Sequence, residues 1–168
     1  MPNKTLSREQ VLALLSQTPQ RIAAPTASLE PAQLYVTPNP GEWSLNEVLA
    51  HLRACADVWG NCMVTILTQD RPTLRAVNPR TWIESTDYLE QEFQLSLQAF
   101  TTQRAHLMAT LEPFAPEDWS RTATVTGAGK VLERTVLFYG RWMAGHERPH
   151  LRQIERIVNA IRSQTAGG

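Results

Sequence analysis

Near its C-terminal end the chain carries His146-Glu147-Arg148-Pro149-His150, an HExxH pattern. Two His one helical turn apart can bind zinc, and in metalloproteases the intervening Glu serves as general base. A zinc protease also needs a third ligand, either a Glu roughly twenty residues further on or the His of HExxHxxGxxH. Only 18 residues follow His150; Glu155 is their one carboxylate, and Gln153 and Arg156 stand where the Gly and third His belong. Pro149 also removes a helical hydrogen bond to Gly145. The pattern is therefore not a protease signature, but the pair of imidazoles still needs a purpose.

The chain has four His. At about 100° per residue, His146 and His150 lie about 40° apart on one helix face and in phase with Tyr139 and Ile157, on the apolar side. Burying two neighbouring imidazoles without a shared partner leaves polar atoms unsatisfied, and a divalent metal removes that cost. His51, on an earlier helix, flanks that helix's apolar stripe with Cys55 one turn on; His106 points to solvent. His51 is thus the natural third ligand beside His146 and His150, since metals in helix bundles are held by side chains projecting inward from facing helices. Three imidazoles leave a position for water or substrate, the pattern of a catalytic site.

Neighbouring residues admit two readings each. Glu147 is a general base or, more simply, a solvated helix residue. Gln153 orients a bound water or substrate oxygen, or makes an interhelical hydrogen bond. Cys55 is a fourth ligand or reactive thiol, or a small core hydrophobe. Tyr139 and Trp142 line the wall of the site and contact substrate, or only pack. The charged residues of the second and third helices read as solvated faces.

The elements that must position these groups are helices. The first runs from Ser7 to about Ile22, with Ser7 and Gln10 as a capping box. A proline-rich connection follows, with a turn of helix around Pro31–Leu34. The second extends from the N-cap Ser44 to about Leu67, with Val48, Leu52, Cys55, Trp59, Cys62 and Ile66 in a heptad-like stripe. The third spans about Thr86 to Leu111 and is ended by Pro113. The fourth spans about Val131 to Arg162, with residues 163–168 a loose tail. No convincing strand is found; residues 118–130 read as a short extended turn. The expectation is an all-α four-helix bundle with long crossover connections, one domain over residues 1–168.

Composition removes other classes. Lys plus Arg and Asp plus Glu number 16 each, so there is no one-signed field for nucleic acid or an anionic membrane. No apolar run reaches the length of a membrane span, and the polar N-terminus lacks a signal-peptide core. Cys55 and Cys62, about 10 Å apart along one helix, are too far apart for a disulfide, which fits a reduced, cytoplasmic setting.

"GEWSLNEVLAHL" at 41–52 followed by "HERPHLRQI" at 146–154 resembles the DinB-like, or YfiT-like, metal-binding four-helix bundles. These have a Trp-Ser lead into the second helix, a His two turns later, and HxxxH followed by a Gln on the fourth. The resemblance implies metal ligands at His51, His146 and His150, with Trp43 as the lead-in Trp and Gln153 as the following Gln. It also implies zinc or nickel, a homodimer, and a small-molecule substrate. Relatives include S-transferases that use bacillithiol, mycothiol or glutathione. The expected function is metal-dependent thiol (S-)transfer, in which the metal holds a low-molecular-weight thiol. The alternatives are a metal-dependent hydrolase and a non-catalytic protein stapled by its metal.

Overall fold

The computed structural model describes residues 6–167. Ser7 begins the first helix, α1 (Arg8–Thr26), by the expected reciprocal cap: its hydroxyl accepts from the Gln10 N–H and the Gln10 side chain accepts from its own. The helix runs one turn past Ile22 and tolerates Pro19 and Pro25. Pro19 cannot donate to the carbonyl of Leu15. That carbonyl accepts instead from Arg104 Nη1 at 2.8 Å. A 3₁₀ turn at Pro31–Tyr35 leads to α2 (Leu45–Thr68), capped by Ser44 and Glu47 in the same reciprocal way.

After α2 come strand β1 (Thr73–Arg75), a four-residue helix α3 (Pro79–Trp82) and a 3₁₀ turn to Ser85. Helix α4 (Phe93–Leu111) starts seven residues later than the apolar pattern suggests. The Glu92 carboxylate accepts from the N–H groups of Gln94 and Leu95, which fixes the start there, while Leu89 in the preceding turn is exposed. Strands β2 (Thr122–Thr126) and β3 (Leu132–Thr135) follow, then α5 (Val136–Ala166), capped by the Thr135 hydroxyl.

The three strands correct the strand-free reading. They form one small sheet, ordered β1-β2-β3, with β1 parallel and β3 antiparallel to β2. Each is five residues or fewer, too short for alternation to stand out in sequence, though Ala123 and Val125 do alternate inward from β2. Gly127 and Gly129, at φ +82° and +87°, make the turn between β2 and β3, so α5 starts at Val136 rather than Val131. The C-terminal tail is likewise shorter than expected, because α5 continues to Ala166; Gly168 and residues 1–5 lie outside the described residues.

The four long helices form a bundle in which α1 and α2 each pack on both α4 and α5. α1 therefore sits diagonally across from α2, and α4 from α5, an arrangement that requires the long crossovers. The core between them is lined by Val11, Leu15, Leu49, Leu52, Phe100, Met143 and Ile154 among others. No described helix is long and apolar enough to cross a membrane.

Gly140 sets how closely α5 approaches α1. A Cβ there would lie 3.0 Å from Val11 Cγ1, 3.1 Å from Trp119 Cζ3 and 3.3 Å from Met63 Cε. Gly140→Val should therefore destabilise the fold by about 1–3 kcal/mol through overpacking, read by urea denaturation. An unchanged midpoint would show that the helices separate freely at this point.

Candidate metal centre

The site lies where α2 and α5 pack side by side. His51 is buried on α2, and His146 and His150 are half-buried one turn apart on α5. Their ring centroids are 5.2 Å (His51–His146), 4.9 Å (His51–His150) and 4.7 Å (His146–His150) apart. The three imidazoles singled out in the sequence thus come together, and His106 is exposed and apart from them.

His51 Nε2 faces His146 Nε2 at 2.9 Å and Cys55 Sγ at 3.5 Å. One ring nitrogen carries either a proton or a lone pair, so it cannot serve two such partners fully. The donor atoms of His51, Cys55 and His146 all lie within 4.8 Å of one another. His150 is oriented from its other side: its Nδ1 donates to Gln153 Oε1 at 2.8 Å, because an amide oxygen only accepts. That leaves the lone pair on Nε2, the usual arrangement for a ligating His held by a neighbour. Clustered imidazoles with a thiol alongside suit a borderline-soft divalent ion. The residues present fit a metal.

Burial governs the protonation of this cluster. Desolvation, then the neighbouring imidazoles and Arg80, push His51 down to about 4. Desolvation, then His150 and Arg80, push His146 down to about 4 as well. Both are neutral at pH 7, the form that binds metal. Burial, with the Glu147 charge second, pushes the Cys55 thiol up to about 12. With its side chain about 1 % exposed, Cys55 is an unreactive thiol in the metal-free protein rather than a nucleophile or a contact for substrate.

Aromatic rings wall the cluster. Trp43 stacks parallel to His150 at 6.1 Å and meets the edge of His51 at 5.1 Å. Trp59 meets His146 edge-on at 5.0 Å and Trp142 at 6.0 Å. Trp142 is half exposed, so it stands at the outer edge, one ring removed from His146. Tyr139 is buried further down α5, in edge contact with Phe138, and touches none of the three imidazoles.

Glu147 requires a correction. It is neither solvated nor placed as a base for the site, but about 2 % exposed and held in the bundle interior. Arg104 donates to both its oxygens, Nη2 to Oε1 at 2.5 Å and Nη1 to Oε2 at 3.1 Å, and Thr18 Oγ1 donates to Oε2 at 2.6 Å. Arg104 itself is about 2 % exposed, and Arg53 on α2 is also buried, donating to Gln91 and Ser96. The charged residues of the second and third helices are thus not all solvated. Sequence reasoning missed Arg104; its position one turn after Phe100, on the apolar stripe of its helix, was the available signal.

Residues 14–154 match the model of the DinB superfamily. A protein of Bacillus licheniformis is 25% identical over 150 residues, covering 86% of this chain and 82% of its own. One of Halalkalibacterium halodurans is 23% identical over 140 residues, covering 83% and 81%. Each is named "putative metal-dependent hydrolase". YfiT from Bacillus subtilis superposes with a TM-score of 0.69 at 19% identity, covering 90% of this chain and 89% of its own. It is described as "a probable metal-dependent hydrolase with an unusual four-helix bundle topology".

Two outcomes follow from this geometry. Glu147→Gln leaves the Arg104 charge buried without its partner and should cost about 3–5 kcal/mol in denaturant unfolding. A loss under about 1 kcal/mol would mean that water reaches the pair. The metal-free protein should also lose stability as pH falls from about 6.5 to about 4. In that window unfolded His51 and His146 take up protons that the folded forms, at about 4, refuse. A flat melting temperature across the window in the wild type, equal to that of His51→Ala, would contradict the depressed values.

Proposed function

The chain belongs to the DinB superfamily, and from that premise we propose that it is a metal-dependent enzyme acting on a small molecule, a hydrolase by its first reading. The convergence of three inward imidazoles from α2 and α5, with centroids no more than 5.2 Å apart, carries this reading. The names of the relatives from Bacillus licheniformis and Halalkalibacterium halodurans support the hydrolytic version.

His51, His146 and His150 would hold the ion, and zinc and nickel both suit imidazole donors. A divalent ion there supplies Lewis acidity, lowering the pKa of a water or thiol and polarising a substrate oxygen. The chain's own residues do the rest. His51 and His146 stay neutral through burial, so they offer lone pairs at pH 7. Gln153 holds the His150 ring in one tautomer. Trp43 and Trp59 lie against the rings and limit water on those sides. Glu147 is engaged by Arg104 and Thr18, so general-base work falls to another group, and Gln153 carries no titratable proton.

Thiol transfer uses the same arrangement with a thiolate in place of hydroxide as nucleophile, and the resemblance in "GEWSLNEVLAHL" and "HERPHLRQI" is what favours it. The two readings share their first test. Purified protein should contain about one divalent ion per chain by elemental analysis, His51→Ala with His146→Ala should lose it, and His106→Ala should keep it. Full occupancy in the double variant would remove the site.

The second test separates them. In cobalt-loaded protein, a sulfur–cobalt charge-transfer band that appears only when a low-molecular-weight thiol is added supports thiol transfer. Turnover of ester or amide substrates with no response to thiol supports the hydrolase. A band already present without added thiol, and lost in Cys55→Ala, means that Cys55 closes the site, and the non-catalytic staple takes the place of both.

A further inference from the structure

A second feature lies along the face of α2 that carries His51. Seven residues after His51 is Val58, and seven after Cys55 is Cys62, so each pair shares a helical phase to within about 20°, two turns or about 10 Å apart. Val58 and Cys62 form one wall of an open cleft of about 510 Å³. Leu74 and Val77 supply the opposite wall, with Trp82 of α3 and Arg75 of β1 at its rim. No imidazole lines it. Its volume is that of a small-molecule site, and its lining is mostly apolar.

Charge narrows what fits. The ion pairs among the described residues are Arg8–Glu9, Arg21–Glu155 and Arg104–Glu147, so Arg75 is not paired with a carboxylate. Arg75 is laid across the hairpin turn at Gly127, where a Cβ would meet its Cγ at 3.3 Å. Arg80 stands on the same short helix as Trp82 but does not line the cleft. Asp57 also borders the cleft, but its carboxylate is already engaged. Trp82 Nε1 donates to Oδ2 at 3.1 Å, the Tyr88 hydroxyl to the same oxygen at 2.5 Å, and the Gln103 amide to Oδ1. These donors also pin α3 and the following turn onto α2, which keeps the cleft open as a formed site.

We propose that the cleft binds a small anion with an apolar body, its charge met by Arg75. An apolar body displaces water from Val58, Leu74, Val77 and Trp82, and the unpaired Arg75 guanidinium selects a carboxylate, sulfonate or phosphate over a cation. The ligand class is then an organic acid rather than a cationic amine.

The test uses a pair of probes on the full chain, metal-loaded and metal-free. The anionic probe is 1-anilinonaphthalene-8-sulfonate, and its neutral counterpart is N-phenyl-1-naphthylamine. Fluorescence titration should show one site per chain for both. Arg75→Gln should weaken the sulfonate about tenfold and leave the neutral probe unchanged, the effect of losing a charge-assisted contact. Val58→Trp, which fills the cleft, should remove both. Should Val58→Trp lower the melting temperature, Leu74→Trp fills the same space from the β1 side. Equal sulfonate affinity in Arg75→Gln, or undiminished binding of both probes when the cleft is filled, overturns the proposal. Metal content is measured on the same samples and on His51→Ala. Full metal there sinks the metal-centre reading and leaves the probe result standing, whereas metal loss with both probes still bound keeps the two apart.

Discussion

The ion pair between Arg104 and Glu147 spans the bundle from α4 to its diagonal partner α5, and the rest of the interior is arranged around it. Two charges about 2–3 % exposed are tolerable only with every hydrogen bond in place, since their desolvation rivals their attraction. The chain meets that condition with residues from a third helix. Thr18 donates to the carboxylate, and the Leu15 carbonyl, released by Pro19, accepts from the guanidinium. Glu147 lies about 100° from His146 and 60° from His150 around α5. Holding Glu147 toward α1 and α4 therefore turns both His toward α2, where His51 is. The ion pair sets the rotation of the helix that carries two of the three clustered imidazoles, without touching them.

The imidazole cluster, the candidate metal centre, is built the opposite way. Its polar groups are left incompletely satisfied by the protein: His51 Nε2 faces two partners that one nitrogen cannot serve together. Burial lowers the basicity of His51 and His146 and so removes the proton that would compete with a cation. The same burial raises the Cys55 thiol, which discourages it from ligating unless a metal strips its proton. One environment thus keeps the imidazoles neutral and the thiol protonated in the metal-free protein.

Much of this was legible in the sequence, for local reasons. Ser7 with Gln10 and Ser44 with Glu47 mark helix starts because their caps need only residues three apart. The phase of His146 and His150 against Tyr139 and Ile157 placed both on an inward face, and the heptad stripe of α2 placed His51 beside it. What failed depends on distant partners. Glu147 looks like any helical carboxylate until Arg104, 43 residues earlier, and Thr18, 129 earlier, are brought to it. The three short strands exist because β1, from the α2–α4 crossover, pairs with β2, from the α4–α5 crossover, and no local pattern announces that pairing. Residues 86–92 continue a helical apolar pattern but are held as turns by the Glu92 cap, a competition that periodicity does not weigh.

The central claim is that imidazoles alone from this protein hold the metal, leaving Cys55 outside the coordination sphere and a position open. X-ray absorption at the zinc edge of the loaded protein measures this directly, because nitrogen and sulfur shells fall at separate distances. The account requires a shell of nitrogen or oxygen near about 2.0–2.1 Å, with imidazole multiple scattering and no sulfur near about 2.3 Å. A sulfur shell at that distance in the wild type, absent in Cys55→Ala, would contradict it and make the centre a closed, structural one.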